Sequence, residues 1–382
     1  MSKKLRIGVV ISHPTQYFSP LFDLLTRRDN IGLTVFYGND AGARISRDEG
    51  FSLDVAWDID LLDRYTYVML TAGAKPSVAG RSRALARLVS GIRQLDVVVV
   101  HGYATPLAAA AIVVCKCFGV PYLLRSDTSR RDAHARLSPR AWWPRLVGSS
   151  CAGAMVVGVR NMDVQLALGV RRIFQVPFSI DVRRFAVTAR SVRADARATR
   201  VGFGLPGVGP VVAFAGKFTD IKRAGDLVSV SRLLPAGTHI MMIGDGPNKA
   251  RLRRAAKGLP VTFTGFLNQS QMPSALACAD VIVLPSAVEP WGLIVNEAMA
   301  CGCVPVVSDA VGCAPDLVHG VGREYAVGDL AGLASAIGLA VQDSRSTVVR
   351  RKIASKVALF DTEPVARSFE EAVIAVSRAR DR

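Results

Sequence analysis

The sequence has no apolar run of the roughly 20 residues that a transmembrane helix needs. Its longest candidate, "ATPLAAAAIVVC", is closed by Lys116 and reads as a buried helix. The opening "MSKKLRIGVVIS" imitates a secretory signal, but its apolar run is too short and no small-residue cleavage site follows. It is expected to be a first strand. Seven cysteines occur without any CxxC spacing. Cys115/Cys117 and Cys301/Cys303 are each separated by one residue in apolar surroundings, as expected of buried thiols in a reducing cytoplasm. RRM-, KH- and finger-like motifs are absent, so nothing in the pattern turns the net charge of +17 into a nucleic-acid-binding signal. No repeat of solenoid period is present.

What is present is length and alternation. At 382 residues the chain exceeds an ordinary single core, so two domains are expected. Val/Ile-rich runs alternate with Ala/Leu/Arg-rich helical runs, the pattern of an α/β protein with parallel sheets. The positive charge is scattered and arginine far outnumbers lysine, which fits a GC-rich coding bias. One local concentration, Ser129–Arg145, mixes arginines with Trp142 and Trp143. It suits either an anionic membrane interface or a solvated loop over a buried Trp pair.

Residues 1–182 read as one doubly wound domain. Strands are expected at Leu5–Ser12, Ile31–Gly38, Leu95–His101 and in "VPYLLRSD", with a helix from Pro106 to Phe118. Residues 183–209 read as a linker rich in Arg, Ala and Gly. It contains "GFGLPG", which matches GxGxxG by letters, but Pro206 interrupts it and a strand follows it, so it is not a dinucleotide fingerprint. Residues 210–360 read as a second domain with strands "VVAFAG", "HIMMIGDG", "VTFTGF", "DVIVLPS" and "VPVVSD", and 361–382 as a last helix.

The informative segment is "SAVEPWGLIVNEAMACGCVPVV", with Glu289 and Glu297 eight positions apart. Pro290 and Gly292 keep Glu289 in a loop, and a helix is expected from near Leu293 to Cys301 with Gly302 beyond its end. The amides of Gly292, Leu293 and Ile294 then face outward as helix-start donors and favour an anion. Carboxylates beside them suit sugar or ribose hydroxyls, so a sugar nucleotide is one reading. Solvated glutamates flanking an ordinary helix start are the other. "FAGKFTDIKRAGDLV" puts Gly216 at a strand end with Lys217 and Lys222 after it, able to neutralise a diphosphate. "IGDGPNKARL" supplies Gly244 at another strand end. All three loops sit where open α/β sheets bind ligands.

These blocks together resemble the retaining GT-B glycosyltransferases of family 4, over most of residues 170–320. Glu289–Glu297 resembles that family's E-x7-E motif. The resemblance implies two Rossmann-like doubly wound domains facing across a cleft, with the final helix returning to the first. It implies a nucleotide-sugar donor, with a UDP-sugar expected, on the second domain and a carbohydrate, lipid-linked or small-molecule acceptor on the first. No metal or separate cofactor is implied, and "DID" at Asp58–Asp60 matches a metal motif by letters only. Glu297 is expected to hold ribose hydroxyls and Glu289 to lie beside the transferred sugar. Lys217 and Lys222 are expected to bind diphosphate, and the amides of Trp291 to Ile294 to cap it. In the first domain "SHPTQYFSP" replaces the family's glycine-rich loop, and Ser126 and Asp127 stand where a histidine is common. His101 and Asp127 are the remaining catalytic candidates, and His13, Gln16, Tyr17 and Asp127 the acceptor-side ones. A cytoplasmic enzyme is expected, touching the inner membrane face through its basic surface. A GT-B epimerase or phosphorylase, and a basic nucleic-acid-binding protein, are the alternatives.

Overall fold

A computed structural model of the protein describes residues 4–71, 77–128 and 142–380. They form two compact units. The first comprises the chain up to Ser46, Ile59–Ser179 and the segment from Thr362 onward.

Its sheet is wholly parallel: β1 (Leu5–Ile11), β2 (Ile31–Tyr37), β3 (Tyr67–Met69), β4 (Val97–His101), β5 (Tyr122–Ser126), β6 (Gly153–Val156) and β7 (Ile173–Gln175), in the order β3-β2-β1-β4-β5-β6-β7. Both faces are covered, which is why these strands are almost continuously apolar. Successive residues of β4 serve opposite cores: Val98 and Val100 pack with Phe36, Ile112 and Leu124, whereas Val97 and Val99 pack with Phe22, Leu25 and Leu123. The helix Pro106–Cys117 begins where the sequence places it, because Pro106 suits a first turn and Thr105 Oγ1 accepts from Ala108 N at 3.1 Å. The second core is completed by the helix Thr362–Arg380, which contributes Val365, Phe369, Val373 and Val376 at helical spacing. Each such fully buried side chain contributes about 1.5–3 kcal/mol. Arg28 Nη2 ties this helix down through Glu363 at 2.5 Å.

The second unit comprises Arg47–Asp58 and Ile180–Asp361. Its sheet is also parallel: β8 (Val211–Ala215), β9 (His239–Ile243), β10 (Val261–Gly265), β11 (Val281–Leu284), β12 (Val304–Ser308) and β13 (Arg323–Tyr325), in the order β10-β9-β8-β11-β12-β13. In each sheet the order reverses beside the first strand, at β1/β4 and at β8/β11.

Three boundaries differ from the sequence reading. The chain leaves the first unit after Ser179, not at 182. Residues 183–209 are largely helical (Val182–Ala194 and Ala196–Gly202) and belong to the second unit, because Asp181 caps the first helix and Phe185 and Ala189 bury one face. Residues 47–58 lie early in the sequence yet also pack in the second unit. The "GFGLPG" stretch ends a helix at Gly202, turns through left-handed Gly204 and precedes β8.

Candidate functional site

The loop after β11 is shaped by a left-handed turn at one glycine and a close backbone approach at another. Gly292 has φ +100°, and a Cβ there would lie 2.7 Å from Leu284 Cδ2. Gly312 comes so close to Pro290 that a Cβ would lie 1.8 Å from its carbonyl oxygen. Gly312 N donates to Glu289 O at 2.8 Å and Cys313 N to Trp291 O at 3.0 Å. Glu289 is therefore a loop residue, and the helix Leu293–Ala300 starts behind it with no side-chain cap on its first turn. Gly302 follows that helix with φ +83°. Trp291 turns inward, its Nε1 donating to Asn296 Oδ1 at 2.9 Å and its ring packing on Phe360. Its part in an anion site is confined to backbone.

The loop after β8 meets that segment. Gly216 and Gly244 cross so closely that a Cβ on Gly244 would lie 2.0 Å from Gly216 O. Ala287 N donates to Ile221 O at 2.8 Å, joining the two loops. That brings Lys222 onto Glu289, and the two form an ion pair. Lys217 Nζ instead pairs with Asp48 Oδ2 at 2.9 Å and lies 5.0 Å from the Phe51 ring centroid. No local motif marks Asp48.

Glu297 sits apart from Glu289, with other partners. It is buried, 2% exposed, beside Gln269 and Arg184. Arg184 fixes Gln269 by donating to its backbone oxygen at 3.0 Å and to Oε1 at 3.1 Å. Burial pushes the Glu297 carboxyl up to about 7, with Gln269 and the Arg184 charge opposing. The carboxyl thus already has Gln269 as a hydrogen-bonding partner. Gln269 and Arg184 were not anticipated, although Gln269 follows a strand end and was open to the same argument as Gly244.

In the first unit, a cavity of about 330 Å³ opens at the β1/β4 reversal. His101 and Asp127 line it, together with Thr15, Phe18 and Arg125. His13, Gln16 and Tyr17 do not line it; the His13 ring bonds Ser12 Oγ at 2.9 Å, and burial lowers its pKa. The His101 pKa is held well below the ordinary value by burial and by the Arg125 charge, so its ring is neutral at pH 7. Arg125 donates to Val176 O at 2.7 Å and Pro177 O at 3.1 Å, and lies 5.5 and 5.6 Å from the Phe18 and Phe178 centroids. Of the basic stretch 129–145, residues 129–141 lie outside the described residues; Trp143 donates to Tyr103 O at 2.9 Å while Trp142 is exposed.

Residues 209–343 match the family model described as glycosyl transferases group 1. The chain is 32% identical over 293 residues to a 2-deoxystreptamine N-acetyl-D-glucosaminyltransferase of Streptomyces fradiae, covering 71% of this chain and 68% of that protein. The chain belongs to the group 1 glycosyl transferases. This glycosyl transferase is also 30% identical to a 2-deoxystreptamine glucosyltransferase of Streptomyces kanamyceticus, over 55% of this chain and 58% of the relative. Among solved structures, Anabaena HepE in complex with UDP superposes with a TM-score of 0.72 at 15% identity, over 98% of this chain and 100% of that one. A sucrose-phosphate synthase from Thermosynechococcus elongatus gives 0.70 at 17%, over 98% and 100%. At such identities the likeness carries the fold, which is GT-B, with two Rossmann-type sheets. The matched residues 209–343 contain Lys217, Lys222, Glu289 and Glu297; Asp48 and Arg125 lie outside them. Among the described residues no helix is long and apolar enough to cross a membrane.

Proposed function

We propose that this glycosyl transferase moves a hexose-type sugar from a nucleotide-sugar, a UDP-sugar, onto an acceptor hydroxyl with retention of anomeric configuration. The observation that carries the reading is the meeting of Lys222 with Glu289 at the β8/β11 reversal, in front of a helix start that no side chain caps. Lys217 and Lys222 neutralise the departing diphosphate, and the amides from Trp291 to Ile294 take its remaining oxygens. Glu289 then exchanges Lys222 for the hydroxyls of the sugar. Glu297, although buried, is assigned to the ribose hydroxyls. Departure on the acceptor's own face, through an oxocarbenium-like ion pair, makes stabilisation of leaving-group charge the main task, and it needs no metal.

The UDP assignment is supported by the solved HepE complexes with UDP and with UDP-glucose. Other relatives are named as GDP-mannose-dependent mannosyltransferases, so GDP-mannose is the competing donor. On the acceptor side, Asp127 and neutral His101 suit hydroxyl recognition. The two relatives named for 2-deoxystreptamine favour a small cyclic polyol acceptor over a polymer. A role in glycolipid or polysaccharide assembly in the cytoplasm, with the basic surface against anionic lipid, is the second reading, supported by the net charge of +17. The deciding experiment is calorimetric titration with UDP, GDP and their sugars, followed by product analysis with a cyclitol panel. UDP binding that is lost in Lys222→Ala supports the reading; absence of binding by any nucleoside diphosphate ends it.

A further inference from the structure

Residues 47–58 form a strap on the second unit. Its far end is fastened: Asn268 Nδ2 donates to Ala56 O at 2.7 Å, Ser270 N to Asp58 Oδ2 at 3.2 Å, and Phe51 and Trp57 pack on Phe266 at 5.0 and 6.2 Å. Its near end lies on the loops after β8 and β9. A Cβ on Gly50 would fall 2.5 Å from Lys217 Cδ, and one on Gly246 would fall 2.9 Å from Gly50 O. At this end Asp48 Oδ1 accepts from Gly50 N at 2.9 Å and Phe51 N at 3.0 Å, while Oδ2 takes the Lys217 ammonium.

A carboxylate held by two backbone amides and one ammonium is what a phosphate oxygen meets in an anion site. Burial pushes the Asp48 pKa up, but Lys217 and the two amides outweigh it and hold the carboxyl below its ordinary value, so it is an anion at neutral pH. The pair is only partly covered, with Lys217 38% and Asp48 29% exposed, so it is open to exchange. Both lysines of the proposed donor site therefore carry an internal carboxylate, but only Glu289 has a role toward the sugar.

We propose that Asp48 stands in for a donor phosphate on Lys217 and must be displaced when the nucleoside diphosphate binds, so that Asp48 sets donor affinity. This rests on the donor-site reading above. An internal competitor lowers apparent affinity by the fraction of molecules in which Lys217 is free.

The test is calorimetric titration of UDP into the full chain and into Asp48→Asn, which keeps an oxygen for the Gly50 and Phe51 amides but drops the charge. Affinity about three- to tenfold tighter in Asp48→Asn is expected. In a Lys217→Ala background the same substitution should change the dissociation constant less than about twofold, since the shared partner is gone. Unchanged or weaker binding in Asp48→Asn, with the parent chain still binding UDP, overturns the competitor and leaves the donor site standing. No binding of UDP or GDP to the parent chain overturns both. Hydrogen exchange on the parent chain decides independently of any variant's folding: UDP should speed exchange at the Gly50 and Phe51 amides, and unchanged or slower exchange there counts against displacement.

Discussion

The two sheet reversals hold their cations in opposite ways. At β8/β11, Lys217 and Lys222 are partly exposed and each faces a single carboxylate. At β1/β4, Arg125 is buried between two phenyl rings and its terminal nitrogens are spent on the carbonyls of Val176 and Pro177. An exposed ion pair is worth about 0–1 kcal/mol and can be exchanged for a ligand. A buried guanidinium bonded to backbone holds two chain segments together, here β5 and the crossover that follows β7. One reversal is arranged for exchange, the other for permanence. The first-unit cavity therefore has its strongest charge in its wall.

Breaking the permanent side should have the largest effect. Arg125→Ala leaves two carbonyls without donors and a void between Phe18 and Phe178, and should cost about 3–5 kcal/mol of stability. Urea unfolding monitored by Trp fluorescence measures it, and a loss under about 1 kcal/mol would mean that the arginine is not a clamp.

Glu297 gives the next effect, and it depends on pH. Its folded pKa of about 7 lies above the ordinary 4.5. Below pH 4.5 the carboxyl is protonated in both states and costs nothing. Stability then falls as pH rises toward 7, where the unfolded chain ionises more readily, and stays level above it. The loss is roughly 3 kcal/mol from a shift of this size. Glu297→Gln should therefore match the parent chain at pH 4 and exceed it at pH 8, as read from thermal midpoints across pH. Parallel midpoint curves would contradict the assigned shift.

On the exchangeable side the effects move from stability to activity. Glu289→Gln should lower kcat about 100-fold, near 2.7 kcal/mol, while UDP affinity changes little, if the carboxylate serves the sugar as proposed. Lys217→Ala should leave the thermal midpoint within a few degrees yet weaken UDP about tenfold. If both lysine variants unfold like Arg125→Ala, the contrast between the two reversals is wrong.

Much of the second unit was readable in advance. Pro290 and Gly292 put Glu289 in a loop, and Gly302 marks the helix end by its tolerance of positive φ. The paired blocks around Lys217, Gly244 and Glu289 carried the family. What escaped has two physical causes. One is distance along the chain: Asp48 meets Lys217 across 169 positions, and no local pattern encodes that. The other is composition that masks periodicity. The arginines of Val182–Ala194 suggested a linker, although Phe185 and Ala189 are spaced as one helical face. Arg125 was visible as a lone charge in the apolar run "YLLRS", on a strand with both faces covered, and that mismatch was the available signal. The burial of Glu297 follows from its neighbours Val295, Ala298 and Met299, all buried on the same short helix.

The helix Thr362–Arg380 has a consequence for biosynthesis. Val365, Phe369 and Val373 close a core whose other walls include Ile7, Phe22 and Val99, all within the first hundred residues. On the ribosome the earliest segments emerge first, yet part of their hydrophobic face stays uncovered until the helix leaves the exit tunnel. The second unit's main body, Ile180–Asp361, is translated entirely in that interval. The domain that begins first is finished last, and during that delay the part of its sheet face left open is the surface a chaperone would meet.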